Sequence, residues 1–253
     1  MKIAVCIKQV PTREWQPRLA DGGTWIREAD ASFEMNEPDA YALEEGLRLK
    51  EKHGGEVVVC AAGPARAATV IREALARGAD RAIHVEDDAL ASADAFAAAG
   101  ALAGAMRDEG FDLVLTGLQS DDQGHAQTGV VLAERLGIPH ATIIMEVEVQ
   151  DGRLRVKREL EGGWFQWIGL PLPALLTIQS GINQLRYATL KGIMAAKKKE
   201  IRRVTLAEPV AALQSIASLY VPQKTKRTHM VEGAPADAAR ELVKHLREDA
   251  RVI

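Results

Sequence analysis

Residues 111–136 of this 253-residue chain read FDLVLTGLQSDDQGHAQTGVVLAERL, a stretch whose residue types suit the holding of an anion. Gly117, Gly124 and Gly129 let the main chain come close to a ligand. Gln127 and Thr128 offer further donors where a helix is expected to open. The first turn of a helix has unpaired N–H groups and the positive end of the helix dipole, so a phosphate is the group this arrangement suits. The alternative is an ordinary βα turn in which Asp121 or Asp122 caps the helix and nothing binds. Catalytic chemistry is not visible elsewhere. The six histidines are scattered, with His125 alone in this stretch. Glu44 and Glu45 are expected on a solvated helix face, and no nucleophile has an adjacent base. No CxxC motif or His pair has metal-ligand spacing, so neither a catalytic residue nor a metal is expected.

The elements that must position this stretch repeat one pattern. Residues 112–116 read as a short buried strand and 124–136 as a helix, with Val130, Val131, Ala133 and Leu136 near the 3.6 period. Residues 2–7 suit a strand covered on both faces. A polar loop over 11–32 holds Trp15 and Trp25; its length marks it as packing on its own domain, a partner or a cofactor. Asn36-Glu37-Pro38-Asp39 is a helix start, with Asn36 as the cap and Pro38 in the first turn. That helix runs to about residue 52 and stops at Gly54-Gly55. A strand over 56–62, a helix from Gly63-Pro64 to Gly78, a strand over 81–85 and an alanine-rich helix over 91–109 follow. Gly100 and Gly104 in the last point to close helix packing. Such alternation predicts an α/β fold, a doubly wound parallel sheet of the Rossmann-like, adenine-nucleotide-binding kind. Ligands of these sheets lie beyond the carboxyl ends of the strands. Cys6, the turn Ala62-Gly63-Pro64 and the loop 117–128 therefore converge, joined by the cap at 36–39. The pocket suits an adenine nucleotide. GxGxxG, GxxxxGK[ST] and Ser-Gly-Gly loops are missing, which weakens readings as an NAD enzyme or an ATP-cleaving enzyme.

From residue 142 the pattern changes. Val147-Glu148-Val149 alternates up to Asp151-Gly152, a favoured two-residue hairpin turn. Residues 154–160 return, Glu161-Gly162-Gly163 turn again, and 164–168 come back, making a β-meander with one wet face. Residues 174–179 form a further buried strand. After Arg203 the core pattern fades into an extended C-terminal arm. It has a weak apolar run over 204–221, a polar, basic stretch over 223–229, and a helix over 236–248 with Ala239, Leu242, Val243 and Leu246 on one face. Apolar residues make up 47% of the chain, enough for a full core. The net charge of -3 argues against a nucleic-acid partner. Cys6 and Cys60 sit in strand-like runs and read as buried thiols. The opening MKIAVCIKQV is too short for a signal peptide and no apolar run reaches the length of a membrane span. The expectation is a soluble chain, not membrane-inserted, in the cytoplasm or a matrix-like compartment.

Residues 173–201, PALLTIQSGINQLRYATLKGIMAAKKKEI, resemble the signature segment of the β subunit of electron-transfer flavoproteins. Asn183, Arg186, Tyr187, Ala188, Thr189, Leu190, Ile193, Ala196 and Lys197 fill its pattern. VCIKQV, Asn36 ahead of Leu43-Glu44-Glu45, Gly63-Pro64, Gly78-Ala79-Asp80-Arg81 and Gln127-Thr128-Gly129 carry the match over nearly the whole chain. The resemblance implies an electron-carrier subunit, not a self-sufficient enzyme. It implies an α-subunit partner in a heterodimer, one FAD held mainly by α at the interface, and AMP buried in β. The family's AMP-lining positions fall on Cys6, on Asn36, Glu37, Pro38 and Asp39, on Ala62, and on Gly117-Leu118-Gln119-Ser120-Asp121-Asp122-Gln123-Gly124-His125-Ala126-Gln127-Thr128. Here Ser120-Asp121-Asp122 follows Gln119 where many members have Ala-Ile-Asp; such loops are similar to those of members serving bacterial amine dehydrogenases. The departure leaves open the electron-bifurcating alternative, in which a second FAD replaces AMP.

The family's partner-recognition loop maps onto residues 183–195. Asn183, Arg186, Tyr187, Leu190 and Ile193 are its docking positions, with Leu190 as anchor. Donors would be flavin dehydrogenases such as acyl-CoA or amine dehydrogenases, and the acceptor a membrane quinone oxidoreductase. Seven Lys/Arg and one acid between 186 and 203 would steer the encounter. The alternative is a basic helix end with Leu190 tucked into the core. The implied organisation is a nucleotide-binding domain with β-meander over 1–182, a recognition loop over 183–199, and an arm over 200–253 packing on the α subunit. A free adenine-nucleotide-binding signalling domain is the competing reading, and it needs neither loop nor arm.

Overall fold

Short runs of small and β-branched residues build the centre of the sheet. In the computed structural model, which describes residues 1–206, 208, 210–222 and 228–253, β1 (Lys2–Cys6) pairs in parallel with β4 (Glu56–Gly63) on one side and β6 (Leu113–Gly117) on the other. Most of the expected polar stretch 223–229 therefore lies outside the described residues. From β4 the sheet continues to β5 (Arg81–Glu86) and β11 (Ile201–Val204). From β6 it continues to β10 (Ala174–Ile178) and β7 (His140–Gln150), still parallel. Then β8 (Arg153–Glu159) and β9 (Phe165–Pro171) add the antiparallel meander, giving nine strands in the order β11-β5-β4-β1-β6-β10-β7-β8-β9. A small ribbon of β2 (Gln9–Pro11) and β3 (Phe33–Met35) closes the base of the Trp-bearing loop.

Helices cover both faces. On one lie α1 (Glu37–His53), α2 (Ala68–Arg77) and the short α5 (Leu190–Ala196), burying Leu43, Leu47, Ile71, Leu75 and Ala196. On the other, α3 (Ala95–Met106) and α4 (Thr128–Leu136) bury Leu102, Met106 and Leu132. The doubly wound parallel sheet is thus the fold. Strand order reverses between β1 and β6, and that switch point opens a crevice at the strand ends.

Three elements differ from the sequence reading. The helix after β6 begins at Thr128, four residues later than expected, because Gly124 (φ 65°) and Ala126 (φ 55°) are left-handed and cannot extend it. The alanine-rich run breaks into a 3-10 turn, Asp88–Ser92, and then α3, whose first turn is capped by Asp94 accepting from the Ala97 N–H at 2.7 Å. The strand β11, expected in the arm, joins the sheet edge beside β5. Residues 206 and 210 then lie on α3: a Cβ on Gly100 would come within 2.6 Å of Val210 Cγ1, so the small residues of α3 admit the chain's own later segment.

Met1–Leu219 forms one compact unit and Tyr220–Ile253 a second. The second contains α6 (Pro235–Glu248), which buries none of its residues and leaves Leu242 and Val243 52% and 42% exposed.

Candidate functional site

At the ends of β1, β4 and β6 lies a cleft that is partly open to solvent. Cys6, Asn36, Asp39, Ala62, Gly117, Leu118, Gln119, Ser120, Gln123, His125, Ala126, Gln127 and Thr128 line it, as the sequence suggested. Glu37, Pro38, Asp121, Asp122 and Gly124 do not reach it. Sequence reasoning missed Ile7 and Lys8, and the apolar wall of Leu90, Ala91, Ala95, Ala98 and Leu102. The signal for that wall was the alanine-rich run, which read only as helix packing.

The polar groups at the cleft hold one another in place. Asp39 is buried, and its two carboxylate oxygens accept from the backbone N–H of Lys8 (2.7 Å) and of Gly117 (2.9 Å). Burial pushes its carboxyl up to about 7, against the pull of those N–H groups. Gly117 must be glycine: a Cβ there would lie 2.7 Å from the Asp39 nitrogen and the Pro38 carbonyl carbon, and would strike Asp39 Oδ1. Asn36 stands at the N-cap of α1, as expected, but its side chain makes no capping bond to the helix. Its side chain donates to the Gln119 carbonyl and accepts from the Asp121 N–H, both at 2.9 Å. Asp121 in return accepts from the Glu37 N–H at 3.2 Å, so the loop caps α1 and α1 shapes the loop. Asp122 pairs with Lys8 Nζ at 2.7 Å. Burial raises its carboxyl, but Lys8 and the Ser120 and Gln123 bonds outweigh this and hold it low. Lys8 Nζ also bonds Gln123 Oε1 at 3.2 Å. Gly129 also lines the cleft and is tightly packed against the sheet: a Cβ there would lie 2.7 Å from Thr116 Oγ1 and Thr177 Cγ2.

The expected docking residues divide into two groups. Leu190 (78% exposed) and Tyr187 (90%) stand out in solvent, with Ile193 and Met194 also exposed. Leu190 opens α5, whose cap Thr189 accepts from the Gly192 N–H at 3.1 Å. Leu190 is not in the core. Asn183 and Arg186, by contrast, turn inward onto α1. Glu44 and Glu45 are only 4% and 8% exposed, which corrects the expectation of a solvated face. Besides Arg48 one turn on from Glu44, their partners lie some 140 residues away, which periodicity along one helix cannot reveal. Four of the seven cations of 186–203 are likewise engaged. Arg186 pairs with Glu44 and Glu51, Arg202 with Glu109, Arg203 with Glu86, and Lys199 Nζ donates to the Leu75 carbonyl. Lys191, Lys197 and Lys198 make no ion pair among the described residues.

Within Tyr220–Ile253, the Nε2 atoms of His229 and His245 lie 3.9 and 3.7 Å from Glu241 Oε1, and Asp249 pairs with His245 Nδ1. Asp249, then Glu241, raises the pKa of His245.

A parallel doubly wound sheet with a polar-mouthed, apolar-walled cleft at its switch point defines a Rossmann-like α/β protein. The sequence profile of the electron transfer flavoprotein domain matches residues 24–209. The chain is 37% identical to the electron transfer flavoprotein subunit beta of Methylophilus methylotrophus, over 98% of each. It is 38% identical to that of Bacillus subtilis (92% of this chain, 90% of that one). The subunit beta of Thermoanaerobacterium thermosaccharolyticum is 42% identical over 81% of this chain and 78% of its own. The chain belongs to the β-subunit family of electron-transfer flavoproteins. Among the described residues no helix is long and apolar enough to cross a membrane.

Proposed function

We propose that this chain is the β half of a heterodimeric electron carrier. It receives electrons from flavin dehydrogenases of the acyl-CoA or amine type and passes them to an acceptor such as a membrane quinone oxidoreductase. It has no substrate turnover of its own. An α subunit holds most of the FAD, which this chain helps to enclose, and AMP occupies the cleft of the β chain.

The observation that carries the AMP reading is the state of the carboxylates. Both oxygens of the buried Asp39 are taken up by the Lys8 and Gly117 N–H groups, and Asp122 is paired with Lys8 Nζ, so neither carboxylate turns an unpartnered oxygen toward a phosphate near the start of α4. Ser120, Gln127 and Thr128 would donate to that phosphate, and Leu90, Ala91 and Leu102 would take the adenosine. Each charge-assisted bond from a donor to phosphate contributes about 1.5–3 kcal/mol, so a few suffice for retention through purification. The heterodimer reading is supported by the exposed Leu190 and Tyr187 and by α6, whose apolar side is uncovered in this chain.

Co-expression with an α subunit followed by gel filtration tests the proposal. The two chains should co-elute one to one with bound flavin, and the chain alone should self-associate and carry little flavin. A stable yellow monomer with stoichiometric FAD would overturn it.

A further inference from the structure

The loop joining β10 to α5, residues 180–189, has no helix or strand of its own, yet it sets where Leu190 and Tyr187 stand. Two of its side chains hold it to α1. Arg186 donates through Nε and Nη2 to both oxygens of the buried Glu44, at 2.8 and 3.0 Å, and through Nη1 to Glu51 at 2.6 Å. Its backbone N–H also reaches Glu44, at 3.3 Å. Asn183 Nδ2 bridges Glu45 (3.1 Å) and the Tyr41 carbonyl (3.2 Å). A guanidinium forked onto two carboxylates fixes direction as well as distance, which a single ammonium cannot do. Beyond the loop, Arg72 donates to the carbonyls of Ala196 (2.6 Å) and Lys199 (2.8 Å), fixing the far end of α5 on α2. The exposed apolar residues thus sit between two clamps.

We infer that Arg186 is a positioning residue for partner docking: with Glu44 and Glu51 as its anchors, it fixes the 180–189 loop so that Leu190 and Tyr187 are presented in one arrangement. It is not itself a contact or a steering charge, since two carboxylates already neutralise it. This rests on the proposal that Leu190 docks on the dehydrogenase.

A double-mutant cycle on the purified heterodimer separates the two ideas. The rate read is the second-order reduction by the flavin dehydrogenase that reduces the wild type, with acyl-CoA and amine dehydrogenases tried first. Arg186→Gln should slow reduction about tenfold, and adding it to Leu190→Ala should slow that variant little further. The Arg186→Gln deficit should persist at 0.5 M salt, where a steering effect is screened. Because Arg186→Gln leaves the buried Glu44 with Arg48 as its remaining ion-pair partner, Glu51→Gln, at the exposed end of the fork, is the milder second variant. It should slow reduction two- to threefold and raise hydrogen exchange of amides 181–189 while leaving those of β1, β4 and β6 unchanged. If Leu190→Ala reduces at the wild-type rate, the docking reading falls and this inference with it. If Leu190→Ala is slow but the Arg186 and Glu51 variants are not, or if their deficits multiply with that of Leu190→Ala, the docking reading stands and the positioning role is overturned.

Discussion

Two regions of the molecule hang on the same helix. At the start of α1, Asn36 and Asp39 face the cleft; farther along, Glu44, Glu45 and Glu51 hold the 180–189 loop. In the first region the polar groups meet within the chain and the apolar wall is its own. In the second, Arg186 and the Asn183 amide nitrogen are met by α1, while the buried Asn183 Oδ1 has no partner among the described residues, and these groups serve to hold large apolar side chains out in water. Tyr187 and Leu190 cost free energy there unless something covers them, at roughly 1.5–3 kcal/mol for a leucine. The apolar side of α6 is in the same condition. In the proposed function the first region is a site for a small ligand, and the others are halves of protein interfaces.

That contrast can be broken most severely at the arm. Deleting residues 220–253 should weaken association with the α subunit by two to four decades, the order expected when several apolar side chains lose their burial. The melting transition of the remaining Met1–Leu219 unit should stay where it was, because no residue of α6 is buried in this chain. A titration of the truncated chain with α, beside a melt, checks both halves of the statement. If the deletion unfolds the rest of the chain, the arm belongs to the core.

A smaller effect is expected at the cleft. Thr128→Glu puts a carboxylate at the start of α4 and should lower nucleotide affinity a hundredfold or more, the equivalent of one or two lost charge-assisted bonds at about 1.5–3 kcal/mol each. Rates of reduction by the dehydrogenase should change much less. Nucleotide content per heterodimer, read after denaturation, is the measurement; a wild-type ratio would contradict the placement.

Leu190→Ala is the mirror experiment. Reduction by the dehydrogenase should slow by roughly tenfold, while nucleotide content and melting temperature stay at wild type. A buried leucine would instead lose about 2–5 kcal/mol of stability with the rate per folded molecule unchanged. The 78% exposure of Leu190 favours the first outcome.

The effect of pH reads on stability alone. Burial raises Asp39 from 3.8 to about 7, so between those values the folded chain binds a proton that the unfolded chain has released. Stability therefore falls as pH rises from about 4 to about 7, by at most about 1.4 kcal/mol per unit. Melting curves across pH 5 to 7.5 should show this slope in the wild type and not in Asp39→Asn, which has no proton to lose. An identical slope in both would assign it to other groups.

The sheet and the place of the cleft were legible because strand–helix alternation is written locally and a doubly wound sheet has only one kind of crevice. The resemblance around Asn183 to Lys197 supplied what local pattern could not, the direction in which Leu190 points. What stayed hidden depends on long-range contact. Asn36 looks like a cap, and only the return of residues 119–121 shows that it has been recruited to the loop. Glu44 and Glu45 look solvated because their partners come from the other end of the domain. The late start of α4 depends on Ala126, whose left-handed backbone no side-chain pattern announces.

In the proposed function the β chain encloses its own nucleotide while sharing the flavin. Mass spectrometry and absorbance of the small molecules released from the denatured heterodimer test it most directly. The account predicts one AMP and one FAD per heterodimer. Two FAD and no AMP would place a second flavin in the cleft, and one FAD with no nucleotide at all would leave the cleft without the ligand assigned to it; either result contradicts the account.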